Sequence, residues 1–280
     1  MICLKVKKND FLVNYLVNFE GLNYNKVKQL LKQKDIKVNN KRIKEDLFIK
    51  IDDEIILYSK ENYFFNINKI YEDENILIVD KPKKLEVIST TKNIDLINLI
   101  NRNYYAVHRL DFNTEGLVVI AKNIESKIEI DNVFKNSKVE KIYITICKNK
   151  PKENELTFSD YILKENNISK IFNNNVKNSK KCITKIKLEN FKDNYSLLKV
   201  NLITGRTHQI RTHLAFHNLF VLGDEKYGDF KINKKLNLNN QILKCISLKF
   251  NFDKNSFLNY LNNKNFNTTF ENIINFFEKL

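Results

Sequence analysis

AVHRLDFNTEGLVVIAK, residues 106–122, is the stretch from which the rest of the chain is read. The protein has 280 residues and is built largely from Lys, Asn, Ile, Leu and Phe, with only 5 Gly, 4 His and no Trp. This stretch and a second one, TGRTHQIRTHLAFHNLFVLGDEKYG at residues 204–228, hold all four histidines and four of the five glycines. They also hold three of the five arginines, Arg109, Arg206 and Arg211. Elsewhere the basic residue is almost always Lys. Arg offers a planar, forked, permanently charged donor that Lys cannot replace at a bidentate site. Gly supplies backbone conformations that other residues reach only with strain. Chemistry is therefore expected where these costly residue types persist.

In the first stretch His108, Arg109 and Asp111 fall within four residues. Asp111 is expected in a loop between a helix and a strand at 117–121, where binding and catalytic groups commonly project. A neighbouring cation favours the charged form of a carboxylate. A structural Asp capping the turn, with Arg109 paired to it, fits the spacing as well, so spacing alone leaves both readings open. In the second stretch a Gly-containing turn runs into a helix over about residues 207–217. There His213 and His217 share a face, which raises the possibility of zinc. No Glu follows the first histidine, no Cys is near in sequence, and residues 214–216 are apolar. This points to polar core or ligand contact rather than to a metal.

The formal charge is +15, from 48 Lys+Arg against 33 Asp+Glu. Such a surplus attracts polyanions and supplies phosphate contacts, although a bare Lys bias has the same sum. Hydrophobic residues make up 42% and aromatic ones 11%, enough for a buried core. No apolar run approaches the roughly 18–20 residues of a membrane span, and the first residues lack the apolar stretch of a secretion signal. Cys3, Cys147, Cys182 and Cys245 are scattered, with no Cys-x-x-Cys pair, so neither a zinc knuckle nor a disulfide framework is indicated. A reduced, cytoplasmic protein is expected.

The first sixty residues read as a separate unit. Residues 10–19 place Phe11, Leu12, Tyr15, Leu16 and Phe19 on one helical face, and a second helix over 25–34 carries Val27, Leu30 and Leu31 after Asn23 as cap. Residues 36–44 alternate about an Asn-Asn turn, a hairpin signal, and 49–58 are strand-like. Residues 59–68 read as a linker. Strands then follow at 75–81, 117–121, 141–147, 182–188, 196–202 and 242–250, with helices at 91–102 and 124–136. An amphipathic helix closes the chain through Ile273, Ile274, Phe276, Phe277 and Leu280. Antiparallel-looking strands with interspersed helices indicate an α+β fold.

HRLDxxTxGL at 108–117 resembles the signature of the RluA-type pseudouridine synthases. Lys81-Pro82, Lys141-x-Tyr143, TGRTHQIR at 204–211 and GDxxYG at 223–228 follow in the family's order. The resemblance spans roughly residues 70–250, and residues 8–58 resemble an S4 RNA-binding domain, a common companion. It implies an S4-like domain at 1–59, a linker at 60–68, and at 69–280 a catalytic domain on a mixed, largely antiparallel sheet. It further implies cofactor-free, metal-free isomerisation of uridine in RNA to its C-glycoside isomer, with large-subunit ribosomal RNA the first expectation and transfer RNA the second. Asp111 matches the family's catalytic aspartate, Tyr143 its active-site tyrosine, and Arg211 the basic residue that pairs with the aspartate. RNA contacts are expected from His108, Arg109, Thr114, Arg206 and His208, and from Lys28, Lys32, Lys41 and Arg42 of the S4-like unit. A monomer with no membrane association and no obligate protein partner is the default. The competing readings are a non-catalytic ribosome-assembly factor and a metal-dependent nucleic-acid hydrolase built on the histidines. Departures from the family pattern are Lys84 in place of Gly, Glu115 in place of Ser, and Cys147-Lys-Asn-Lys in place of a Gly-bearing turn.

Overall fold

The computed structural model of the chain describes residues 2–20, 22, 24–58, 67–89 and 95–280. The expected Asn23 cap, most of the 60–68 linker and the start of the helix expected at 91–102 lie outside the described residues. The chain divides into two compact units. One comprises Met1–Ile67 with Leu85–Tyr104, the other Asn68–Lys84 with Tyr105–Leu280. Residues 85–104 thus group with the N-terminal unit, beyond the boundary expected at residue 59.

The first unit holds β1 (Ile2–Lys5), β2 (Asp10–Phe11), α1 (Leu12–Asn18), α2 (Tyr24–Gln33), β3 (Ile36–Val38), β4 (Lys41–Ile43), β5 (Phe48–Ile49), β6 (Glu54–Leu57) and α3 (Leu96–Ile100). α1 buries Leu12, Tyr15 and Leu16, and α2 buries Val27, Leu30 and Leu31. Phe11 and Phe19, expected on the buried face, are each 49% exposed, because the helix is shorter than its apolar pattern and they fall outside its ends. The β3–β4 hairpin turns at Asn39 and Asn40, both at positive φ (47° and 65°). That is the backbone a two-residue hairpin loop requires, and Asn tolerates it. α3 is capped by Asp95, whose side chain accepts from the Asn98 N–H.

The second unit holds β7 (Asn68–Glu72), β8 (Ile76–Lys81), β9 (Tyr105–Ala106), β10 (Glu115–Ala121), α4 (Ile124–Lys135), β11 (Val139–Lys148), β12 (Glu155–Glu165), β13 (Ile168–Phe172), β14 (Lys180–Lys192), β15 (Tyr195–Leu202), α5 (Gln209–Phe216), β16 (Phe220–Val221), α6 (Phe230–Lys235), β17 (Leu243–Phe250), β18 (Phe266–Asn267) and α7 (Glu271–Glu278). Among the described residues its strands form one 12-stranded sheet ordered β13-β12-β14-β15-β11-β17-β10-β8-β7, with β9, β16 and β18 beside that path. Every pairing is antiparallel except β10 with β17. The fold is α+β. β10 reads as an unbroken apolar run because Leu117–Ala121 are buried on both faces. α7 seats Ile273 and Phe277 on a cluster formed by Ile144, Ile146, Leu197 and Ile246.

Two features position the loop before β10. Gly116 lies opposite Cys245 in the parallel pair at φ +114°, where an added Cβ would stand 2.2 Å from the Cys245 carbonyl oxygen. Only Gly lets β10 and β17 approach so closely. The segment entering the loop is β9 rather than the helix expected there, and it pairs with β10 through Ala106 and Ile120. Residues 107–114 are therefore pinned at both ends by one strand.

Candidate active site

The 107–114 loop and the turn before α5 enclose a cavity of about 490 Å³, lined among others by Asp111, Tyr143, Arg206, His208 and Arg211. The three residues given catalytic roles thus share one cavity although they are distant in sequence. Arg211, on the first turn of α5, donates from Nη1 to Asp111 Oδ2 at 2.9 Å. Its other edge forms a fork on Asp224, Nε to Oδ2 at 2.7 Å and Nη2 to Oδ1 at 2.9 Å. Burial opposes the Arg211 charge, but the Asp224 and Asp111 carboxylates outweigh it and raise its pKa further. The guanidinium stacks over Tyr227, 5.3 Å from the ring centroid. Three hydrogen bonds and one ring face thus hold the cation between the two carboxylates.

Asp224 was present in the GDxxYG motif without an assigned role, and it is the group that anchors Arg211. It is 1% exposed. Its placement depends on Gly223 at φ +77°, where an added Cβ would meet the Asn240 carbonyl oxygen at 2.1 Å. The signal available in the sequence was the pairing of a lone Arg with a Gly-Asp turn. A buried fork demands a second carboxylate when the first faces a cavity.

Tyr143 is 6% exposed and stands opposite Cys245 where the β11–β17 register slips by one residue. Burial first, and then the Cys245 thiol beside it, pushes its hydroxyl well above the usual phenol range. It is therefore a neutral phenol in the cavity wall.

The expected RNA contacts divide into two kinds. Arg109 and Arg206 are exposed at the cavity rim, without an ion-pair partner among the described residues. His108 and Thr114 are engaged by the scaffold instead. His108 accepts the Val119 N–H at Nε2 (2.9 Å) and stacks on Phe134 with centroids 4.6 Å apart. Burial and nearby Lys141 lower its pKa to about 3, so the ring is neutral. Thr114 is 3% exposed, donates its N–H to the Asp111 carbonyl and accepts Gln241 Nε2 at its hydroxyl. Both residues hold the loop and also line the cavity. His208 precedes α5 in left-handed conformation (φ 56°) and meets the Tyr227 hydroxyl at 2.9 Å through Nδ1. In the N-terminal unit Lys28, Lys32, Lys41 and Arg42 are exposed, and Arg42 donates to the Lys34 carbonyl and lies over Tyr58.

Lys81 was quoted only as part of a motif. It is fully buried and donates to the Pro82 carbonyl at 2.9 Å and to the Phe112 carbonyl at 3.4 Å, beside Asp111. Burial lowers its pKa to about 7 against the pull of Glu115 and Asp111. His213 and His217 do not reach the cavity chemistry; they meet Asp160 of β12.

Residues 75–216 match the family described as RNA pseudouridylate synthase. The chain belongs to that family. It is an RNA pseudouridine synthase, an enzyme that isomerises uridine in RNA. A ribosomal large subunit pseudouridine synthase C of Rickettsia bellii is 32% identical over 235 residues, covering 74% of this chain and 78% of the relative. An uncharacterized RNA pseudouridine synthase of Mycoplasma capricolum is 34% identical over 264 residues, covering 84% and 85%. The human RNA pseudouridylate synthase domain containing 1 protein has the same fold, with a TM-score of 0.59 at 20% identity, covering 77% of this chain and 96% of that one. Two departures from the synthase pattern have local explanations. Lys84 keeps a left-handed backbone (φ 61°), and Asn149 adopts φ 73° where a Gly-bearing turn was expected.

Proposed function

We propose that this synthase acts on large-subunit ribosomal RNA, with Asp111 as the carboxylate that works at C1′ and without metal or redox cofactor. The observation that carries this reading is the Arg211 guanidinium, bonded at once to Asp111 and to buried Asp224 beside Tyr143. It keeps one Asp111 oxygen engaged and aims the other into a cavity large enough for a flipped nucleotide. In the reaction the C1′–N1 bond breaks, the uracil turns, and a C1′–C5 bond forms. The C5 proton leaves and N1 gains one, so atoms and electrons balance without an oxidant or reductant.

Tyr143, held as a neutral phenol, stacks on the uracil and hydrogen-bonds to it. Arg109 and Arg206 take flanking phosphates or the vacated base position. The N-terminal unit, read as an S4-like domain over residues 1–59, grips neighbouring RNA through Lys28, Lys32, Lys41 and Arg42 by shape and phosphate charge. Among the described residues no helix is long and apolar enough to cross a membrane, and we place the enzyme in the cytoplasm as a monomer. The choice of large-subunit RNA follows from the similarity to the Rickettsia bellii ribosomal large subunit pseudouridine synthase C. It is tested by incubating the full chain with unmodified large-subunit ribosomal RNA or transfer RNA and mapping pseudouridine by carbodiimide labelling and primer extension. Stops confined to the ribosomal RNA are expected; stops confined to transfer RNA would overturn the assignment.

A further inference from the structure

The histidines that the sequence reading turned away from metal have a third partner it did not contain. Asp160 lies in β12, opposite Cys182 of β14, and is 53 and 57 residues from the two histidines. Its Oδ2 faces His213 Nε2 at 2.9 Å and His217 Nε2 at 2.7 Å. The three candidate ligand atoms lie within 4.8 Å of one another. We propose that Asp160, His213 and His217 bind one zinc-type divalent ion, which staples α5 to the sheet.

The first argument is charge. The Asp160 side chain is only 11% exposed, and among the described residues no Lys or Arg pairs with it; its partners are the two imidazoles. A buried carboxylate without a cation is costly. A dication seated between the carboxylate and the two imidazole nitrogens supplies a fixed opposite charge there.

The second argument is support around the ligands. With a metal on Nε2, His213 carries its proton on Nδ1, and the Thr184 hydroxyl stands 2.9 Å away to accept it. Gln209 donates to that same hydroxyl and to the Ile183 carbonyl, each at 3.1 Å, fixing it in place. Such an outer partner orients a ligating histidine. His217 is held flat against Phe158, with centroids 3.9 Å apart and planes at 7°. Its side chain is 29% exposed, which leaves an entry path and a fourth position for water.

Two imidazoles and one carboxylate suit Zn²⁺ or its neighbours rather than Mg²⁺ or Ca²⁺, which prefer oxygen ligands throughout. Tetrahedral zinc spaces its nitrogen and oxygen ligands about 3.3 Å apart, so both histidine–carboxylate contacts open slightly. His217 lies just past the last residue of α5, where a small backbone adjustment opens its contact while the ring stays on Phe158. The role follows from position: His213 lies two residues beyond Arg211 on the same short helix, so the ion restrains the element that carries Arg211 without entering the cavity.

The full chain, stripped with chelator and dialysed, is titrated with zinc sulfate by calorimetry and with Co²⁺ by visible absorption. One ion per chain is expected, with a rise in the unfolding temperature. Asp160→Asn and His217→Gln, each shown folded by circular dichroism, are expected to lose saturable binding. Thr184→Val keeps one ion per chain with about tenfold weaker affinity. The proposal is overturned if the wild type shows no saturable binding. Unchanged stoichiometry in both ligand variants overturns it as well, since the ion would then lie elsewhere.

Discussion

At the scale of single residues, the site depends on groups whose alternatives fail for stated reasons. Arg211 serves Asp111 and Asp224 with three N–H donors in one plane, and Lys offers a point charge that cannot do both. Arg211→Lys is expected to lower kcat by tenfold or more and to destabilise the fold by about 3 kcal/mol, since it leaves Asp224 buried and half-paired; single-turnover kinetics and urea denaturation check both. His108 gives a pH signature. The unfolded residue takes up a proton near pH 6.5 and the folded one only near 3, so between these values the unfolded state binds more protons. The stability His108 contributes is complete above about pH 6.5 and falls with acid by up to ~1.4 kcal/mol per pH unit. His108→Gln is expected to flatten that difference when denaturation at pH 7 and pH 5 is compared with wild type. Asp111, Tyr143 and Arg211 were legible because they sit in ordered motifs amid a biased background. Asp160 was not, because nothing local distinguishes an Asp in an alternating strand, and its meaning arises only where β12 passes α5.

At the scale of elements, glycine shows what motif reading misses. Gly116 and Gly205 carry equal weight in the sequence, yet an added Cβ at Gly205 meets nothing within 4 Å, while one at Gly116 strikes the Cys245 backbone. Gly116→Ala is expected to cost about 3 kcal/mol or more by parting β10 from β17, and Gly205→Ala to leave stability within about 0.5 kcal/mol; thermal unfolding of the two variants separates them. Helices and strands with clear periodicity, such as α4, β11 and β17, were readable. β12 and β13 were missed because Asp160 and Ser169 put polar residues at buried, inward positions and break the apolar alternation, and α6 because six residues carry little periodic signal. The chain meets its need for left-handed turns with little Gly by using Asn, as at Asn39, Asn149, Asn194 and Asn218. Asn hydrogen-bonds locally and tolerates that region better than other residues do. Turn positions hide in such a composition because Asn is everywhere.

At the scale of the whole molecule, the surplus of +15 charges and the proposed RNA-gripping surface make affinity a matter of salt. The logarithm of RNA affinity is expected to fall linearly with the logarithm of salt. Changing Lys28, Lys32 and Arg42 together to Gln should reduce that slope by about 2, at roughly 0.7–0.9 per phosphate contact, and filter binding across a salt series reads it directly. An unchanged slope would remove those residues from the RNA surface. The reaction itself is tested most directly with RNA carrying tritium at uracil C5, since forming the C1′–C5 bond expels that hydrogen. Wild-type enzyme in the presence of chelator is expected to release tritium, and Asp111→Asn to release none while binding RNA with unchanged affinity. Release by the Asp111→Asn variant at the wild-type rate would contradict the account.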